Sequence, residues 1–182
     1  MRKSARCCAM TGRREALILG GAGLVAAAVG AVVGAFTLQA GSGAAELLAA
    51  RFQDLDGRPR RLIDWKGRAL LCNFWATWCA PCREEIPLFV AAKQKLGRSS
   101  VELVGIAIDS VDKIREFSAN FKINYPVLVG DAGTIALLRS LGNRGGGLPY
   151  TLALDSSGAI VQRHLGALTE ADLRQVLASL SG

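Results

Sequence analysis

Two cysteines three positions apart, Cys79 and Cys82, are the residues of this chain best suited to carry chemistry. They follow an apolar run, and Pro81 lies between them in the first turn of a predicted helix. A Cys-x-x-Cys pair directly after a strand is typical of thiol redox motifs. A zinc site would need a second pair or several histidines, and the chain has a single histidine. A structural disulfide would close too small a loop to stabilise much. The pair therefore predicts thiol–disulfide exchange and no metal.

The predicted positions of the two thiols assign them different roles. Cys79 is expected at the helix N-terminus, where unpaired N–H groups and the helix dipole favour its thiolate. Cys79 would attack a substrate disulfide, and the more buried Cys82 would resolve the mixed disulfide. Glu85, three residues further along the same helix face, is the candidate acceptor for the Cys82 proton, since burial would raise its pKa. Trp78 is expected to cover the pair at the substrate groove.

The elements that must position these residues alternate between strands and helices. The apolar and turn patterns predict a hairpin at 52–63, strands at 69–75, 101–108, 126–129, 150–154 and 159–165, and helices at 79–96, 111–121, 134–141 and 169–180. Thr169 is the predicted cap of the last helix. This order predicts an α/β domain with a mixed central sheet flanked by helices.

The N-terminal part of the chain differs in composition from the rest. Five of the 22 basic residues lie within residues 1–15, whereas the body is nearly neutral. Residues 16–38 carry no charge, and as a helix they would be about 35 Å long, against a hydrocarbon core of about 30 Å. We expect a cytoplasmic leader at 1–15, an anchor in the bacterial inner membrane at 16–38, a linker at 39–44 and a domain at 45–182 that faces the periplasm or cell exterior.

A cleaved export signal is the alternative explanation of this N-terminal part. Arg13 and Arg14 before a Gly/Ala-rich core are similar to a twin-arginine signal, and cleavage would leave an exported soluble domain. In both cases the domain leaves the cytoplasm. The net charge of +7 does not indicate nucleic-acid binding, because no basic stripe with interleaved aromatic residues accompanies it.

The residues around the cysteine pair resemble a known active-site segment. Residues 73–87 read Asn-Phe-Trp-Ala-Thr-Trp-Cys-Ala-Pro-Cys-Arg-Glu-Glu-Ile-Pro, which is similar to the active-site segment of the thioredoxin superfamily. Within the superfamily, the segment most resembles the membrane-anchored, TlpA/ResA-like thiol–disulfide oxidoreductases of bacteria. Weaker similarities extend the match over residues 45–181. The resemblance implies a thioredoxin-like fold with an N-terminal hairpin and a central strand–helix insertion at 101–121.

The resemblance also assigns residues to the site. It implies that Pro149 is a cis-proline that faces the cysteine pair and shapes the substrate groove; the sequence alone leaves this bond free to be cis or trans. It places a glutamate where Glu85 stands, whereas Asn73 occupies the place of a buried aspartate in thioredoxin itself. Glu85 would then do the work of that acid. Residues 145–147, three glycines, and Tyr150 depart from the family pattern and are expected to alter the groove.

Together these observations predict an extracytoplasmic enzyme that acts on protein disulfides or dithiols without a cofactor. The reducing direction, and cytochrome c maturation as a client pathway, come from the family resemblance. Because the compartment outside the cytoplasm is kept oxidising, a membrane thiol partner would have to deliver electrons.

Two alternatives share the predicted fold. A peroxiredoxin-type peroxide reductase would carry Thr or Ser three residues before the reactive cysteine, where this chain has Ala76. A copper-binding chaperone would need wider cysteine spacing and a downstream histidine, for which His164 is the only candidate.

Overall fold

The computed structural model describes residues 43–97 and 99–180. The predicted leader at 1–15, the predicted anchor at 16–38 and residues 39–42 of the linker lie outside this part of the chain. Among the described residues, no helix combines the length and the apolar character needed to cross a bilayer. Residues 43–49 form a short helix, α1. The last two residues assigned to the linker lie in α1, where Ala44 and Leu47 are buried.

Seven strands in the described part of the chain form one mixed sheet. They are β1 (Phe52–Asp54), β2 (Pro59–Arg60), β3 (Ala69–Trp75), β4 (Val101–Ile108), β5 (Val127–Gly130), β6 (Tyr150–Leu154) and β7 (Ile160–Leu165). Their order across the sheet is β2-β1-β5-β4-β3-β6-β7. β3, β4 and β5 are parallel, and the remaining pairs are antiparallel. The central strand β3 therefore lies between β4 and β6.

Four longer helices cover the two faces of this sheet. They are α2 (Ala80–Leu96), α3 (Val111–Asn120), α4 (Ala132–Ser140) and α5 (Glu170–Leu180). Apolar side chains of α2, α3 and α5 pack in one core, and those of α1 and α4 pack in the other. The central strands β3 and β4 are buried nearly throughout because both of their faces are covered. The predicted mixed sheet flanked by helices is confirmed.

The side chains of β3 alternate between the two cores, as the period of a strand requires. Leu71 and Trp75 point toward α2, α3 and α5, whereas Cys72 and Phe74 point toward α1 and α4. Cys72 is a free, buried thiol, and burial raises its pKa to about 12. Asn73 falls on the α2 side, which brings a polar group beneath the helix that carries the redox pair.

The second strand of the predicted hairpin is shorter than the pattern indicates. β2 ends at Arg60, and Leu62–Trp65 form a 3-10 turn instead of a continuing strand. The Asp64 carboxylate accepts a hydrogen bond from the Arg61 backbone N–H over 3.0 Å, and Leu62 is fully buried. Capping and burial of a single apolar residue therefore override the strand pattern here.

Candidate active site

The cysteine pair lies where the central strand passes into α2. β3 ends at Trp75, and Cys79 is the N-cap of α2, with its sulfur accepting a hydrogen bond from the backbone N–H of Cys82 over 3.4 Å. Pro81 occupies the first turn, where its missing N–H leaves no helical acceptor unpaired. Cys79 and Cys82 are joined by a disulfide, with their Cα atoms 5.3 Å apart.

The two cysteines differ in how much of their surface stays exposed. Cys79 retains 6% of its surface, whereas Cys82 is fully buried. The neighbouring Trp78 is 69% exposed, so its ring lies open to solvent beside the pair. When the disulfide is reduced, the N–H groups at the start of α2 favour the thiolate of Cys79. The geometry therefore offers Cys79, and not Cys82, to an incoming disulfide.

Glu85 lies on the buried face of α2, together with Cys82. Each oxygen of its carboxylate accepts one hydrogen bond: Asn73 Nδ2 donates to Oε1 over 2.8 Å, and the backbone N–H of Leu168 donates to Oε2 over 2.9 Å. Burial raises the pKa of Glu85, and the two donors lower it by less. A carboxyl with a raised pKa in this position can exchange a proton with a thiol one turn away.

Pro149 follows a cis peptide bond with Leu148. β6 begins at the next residue, Tyr150, and pairs with Phe74 of β3. This register brings the 148–149 segment beside the end of β3, where the chain turns toward the cysteines. The carbonyl of Pro149 accepts a hydrogen bond from the N–H of Gly166 over 2.9 Å, which ties the segment to the end of β7.

The glycine loop before Pro149 is held by a buried residue that the sequence analysis missed. Asn143 donates from Nδ2 to the carbonyl of Gly147 over 2.7 Å and accepts at Oδ1 from the N–H of Gly147 over 3.2 Å. The two bonds join the side-chain amide to both polar groups of one backbone residue, as paired residues of two β-strands are joined. They fix the backbone at Gly147, two residues before Pro149. The available signal was an asparagine in a glycine-rich turn, a residue type that often bonds nearby backbone.

Tyr150, which was expected to alter the groove, is buried on the side of the sheet opposite to the cysteine pair. Its side chain is buried on the α4 side of the sheet, against Phe74, with ring centroids 6.3 Å apart. The hydroxyl donates to the carbonyl of Leu141, the C-cap of α4, over 2.8 Å. The position after Pro149 points away from the cysteine pair because strand side chains alternate between faces.

Metal-binding clusters are absent from the described residues, in which no group of three or more His, Cys, Asp or Glu side chains could hold an ion. His164, the candidate copper ligand, lies on β7 opposite Thr151 of β6.

Comparisons with known proteins identify the family. Residues 29–163 match the AhpC/TSA family. The chain belongs to the AhpC/TSA family. Among its relatives, the thioredoxin-like protein YneN of Bacillus subtilis is 32% identical over 127 residues, which is 68% of this chain and 71% of YneN. The thiol-disulfide oxidoreductase ResA of Geobacillus thermodenitrificans is 29% identical over 128 residues, 70% of this chain and 71% of that protein.

Solved structures of related proteins share the fold of this chain. A thiol:disulfide interchange protein of the thioredoxin family from Chlorobium tepidum is 30% identical, with a TM-score of 0.63 over 73% of this chain and 93% of that one. A thioredoxin-related protein from Neisseria meningitidis is 29% identical, with a TM-score of 0.64 over 71% of this chain and 97% of that one. The predicted thioredoxin-like fold and the resemblance to ResA-type proteins are confirmed, and the chain is a thiol–disulfide oxidoreductase.

Proposed function

We propose that this protein reduces disulfides of client proteins outside the cytoplasm, with Cys79 as nucleophile and Cys82 as resolving thiol. The observation that carries the proposal is the disulfide at the start of α2, which joins Cys79, with 6% of its surface exposed, to the fully buried Cys82. The Cys79 thiolate attacks a client disulfide and releases one client thiolate. Cys82 then attacks the Cys79 sulfur, which releases the second client thiolate and leaves the Cys79–Cys82 disulfide. Two electrons pass from the enzyme to the client.

Resolution needs Cys82 to lose its proton, and we assign Glu85 as the acceptor. Both side chains lie on the buried face of α2, and Cys82 has no contact with bulk water. The raised pKa of Glu85 lies closer to that of a thiol than an ordinary carboxyl would, which favours proton transfer between them.

We assign the client groove to the surface between Trp78 and Pro149. The exposed indole of Trp78 offers an apolar contact beside Cys79, and the 148–149 segment lies at the end of the neighbouring strand. An extended client chain placed between them would present its disulfide to Cys79.

The surroundings of the enzyme follow from the N-terminal composition and the family resemblance. We propose that residues 16–38 anchor the chain in the bacterial inner membrane, with residues 1–15 in the cytoplasm and the domain on the periplasmic or outer side. Export with signal cleavage, by a twin-arginine route, is the alternative. A membrane thiol partner would reduce the pair again after each turnover, and cytochrome c maturation is the client pathway suggested by the TlpA/ResA-like resemblance.

The reduction potential of the Cys79–Cys82 pair tests the direction of electron flow. The full chain is equilibrated in glutathione or dithiothreitol buffers, and the fraction of disulfide is measured by thiol alkylation. A potential near that of thioredoxin, about −270 mV, supports a reductant, whereas a value near about −120 mV would make the protein an oxidant and overturn the proposal.

A further inference from the structure

The carboxylate of Glu85 accepts a hydrogen bond from a buried side chain that has no other role in the proposed reaction. Asn73, at the centre of β3, is buried, and its Nδ2 donates both to Glu85 Oε1 over 2.8 Å and to Thr151 Oγ1 over 3.0 Å. A carboxylate can only accept hydrogen bonds, so the nitrogen of the amide, and not its oxygen, must face Glu85. The sheet register places Thr151 directly opposite Asn73, within hydrogen-bond reach of the same nitrogen.

We infer that Asn73 is a positioning residue for Glu85, whose carboxylate it holds in the ionised form that can take the proton of Cys82. The inference rests on the acceptor role proposed above for Glu85. Asn73 would affect the reaction only through the Glu85 carboxylate. Its amide touches neither the client nor a reacting sulfur.

The hydrogen bonding of Asn73 itself supports this role. Its Oδ1 is buried without a partner in the described structure. A buried carbonyl without a donor destabilises a fold, and an apolar residue would fill this place in the core without that penalty. Buried polar atoms normally have a hydrogen-bond partner, and Asn73 Oδ1 has none among the described residues. The retention of an amide here is most simply explained by the groups that its nitrogen binds.

The expected effect follows from the balance of forces on a buried carboxyl. Burial favours the neutral acid, and a neutral Glu85 cannot accept a proton. The donors from Asn73 and Leu168 favour the anion. Without the Asn73 donor the pKa of Glu85 would rise further, and Glu85 would become a competent acceptor only at higher pH.

The other titratable groups that face Glu85 do not obscure this effect. Cys82 is on the same face of α2, and Tyr125 approaches from the segment before β5. Burial and the charge of Glu85 raise the pKa of Tyr125 above its ordinary value, so its phenol stays neutral across the physiological range. On β6, the Thr151 hydroxyl is linked to Glu85 through Asn73. Before α5, Leu168 contributes its backbone N–H. Neither of these groups titrates in the physiological range.

The test is the pH dependence of mixed-disulfide resolution in the full-length reduced protein. The probe is an unfolded protein that carries one disulfide. The rate at which this client is released from the mixed disulfide with Cys79 is measured from pH 5 to 9. Asn73→Ala should shift the fall in rate at low pH upward by about one unit, a typical effect of one lost hydrogen bond to a carboxylate. Glu85→Gln should slow resolution and move the fall to the higher pH at which the Cys82 thiol ionises without an acceptor, and the double variant should match Glu85→Gln. Asn124→Ala removes an exposed amide that donates to the carbonyl of Val90, and as the matched control should leave the profile unchanged.

A second variant keeps the test decisive if Asn73→Ala does not fold. Asn73→Asp retains the volume and places two carboxyl groups within contact, so that one of them holds a proton and resolution shows two titrations at low pH. A profile for either variant that is unchanged, or slowed equally at every pH, would overturn the role of Asn73. An unchanged profile for Glu85→Gln would instead remove Glu85 from the mechanism, which distinguishes failure of the proposed function from failure of this inference.

Discussion

At the scale of single residues, the difference in burial between the two cysteines favours Cys79 as the one that meets a client. Cys79 caps α2 and keeps some exposed surface, whereas Cys82 lies inside the core beneath it. Attack on a client disulfide needs a thiolate that the client can approach, which favours Cys79 over the fully buried Cys82.

The cysteine variants should therefore behave differently. Cys79→Ser is expected to abolish exchange with protein disulfides, because Cys82 is out of reach. Cys82→Ser should still form the mixed disulfide but fail to resolve it, so that the client accumulates as a covalent adduct on non-reducing gels. Cys72→Ser, in the other core, is the control and should keep exchange activity. Full exchange by both single variants of the pair would contradict the proposed mechanism.

Glu85 should also affect stability in a pH-dependent way. Its pKa is raised in the folded state, so its contribution is fully favourable below the unfolded pKa of about 4.3 and is lost as the pH rises through the folded pKa. Glu85→Gln should consequently be more stable than the parent at pH 8, by about 1.4 kcal/mol for each unit of pKa elevation, and should lose this advantage near pH 4. The Asn73 amide can turn its oxygen toward the glutamine, which limits any loss of hydrogen bonding. Urea unfolding at the two pH values measures the difference, and an advantage of equal size at both would contradict it.

At the scale of elements, the loop before β6 depends on Asn143 as well as on its glycines. The paired hydrogen bonds between Asn143 and Gly147 hold the backbone that leads to Pro149. The bonds lie in a buried position, where each donor or acceptor left unpaired costs about 1–3 kcal/mol.

Asn143→Ala should lower the free energy of unfolding by about 1–3 kcal/mol. It should also slow exchange with a protein client more than exchange with a small aromatic disulfide, because only the longer substrate needs the groove. Ser140→Ala, at the exposed end of α4, is a matched control because it removes a side-chain hydrogen bond to Glu46 away from the loop. Equal loss of rate with both substrates would show that Asn143 does not shape the groove.

The elements that could be predicted from sequence are those that local pattern determines. β3 and β4 are apolar runs with both faces buried, and α2 has a capping cysteine and a proline in its first turn. The pairing of the cysteines and the burial of Glu85 follow from spacing along one helix, although their roles in the reaction stay predictions. The turn at Leu62–Trp65 and the inward direction of Tyr150 depend on tertiary packing, which a local pattern does not contain.

At the scale of the whole molecule, the sheet topology brings distant segments of the chain to one carboxyl. Asn73 meets Thr151, 78 positions later, and Glu85 meets Leu168, 83 positions later. Contacts at this separation are set by strand order and register, which is why Thr151 and Leu168 could not be found from sequence.

The membrane proposal is tested on the whole molecule in cells. We expect the intact chain to sediment with membranes, and a form that lacks residues 1–38 to be soluble and active on added client. The mass of the mature chain separates an anchor from a cleaved signal. Recovery of the intact chain in the cytoplasmic fraction would contradict an extracytoplasmic role.

The hydrogen bond between Asn73 and Glu85 has an evolutionary consequence. Two acids in contact within a core cannot both ionise, so the pocket below α2 has room for one. Among related sequences, an acid at the position of Asn73 should therefore accompany a non-acidic residue at the position of Glu85, and the reverse. The two positions, one in β3 and one in α2, would then change together in evolution, so that only one of them carries the buried acid in any one protein.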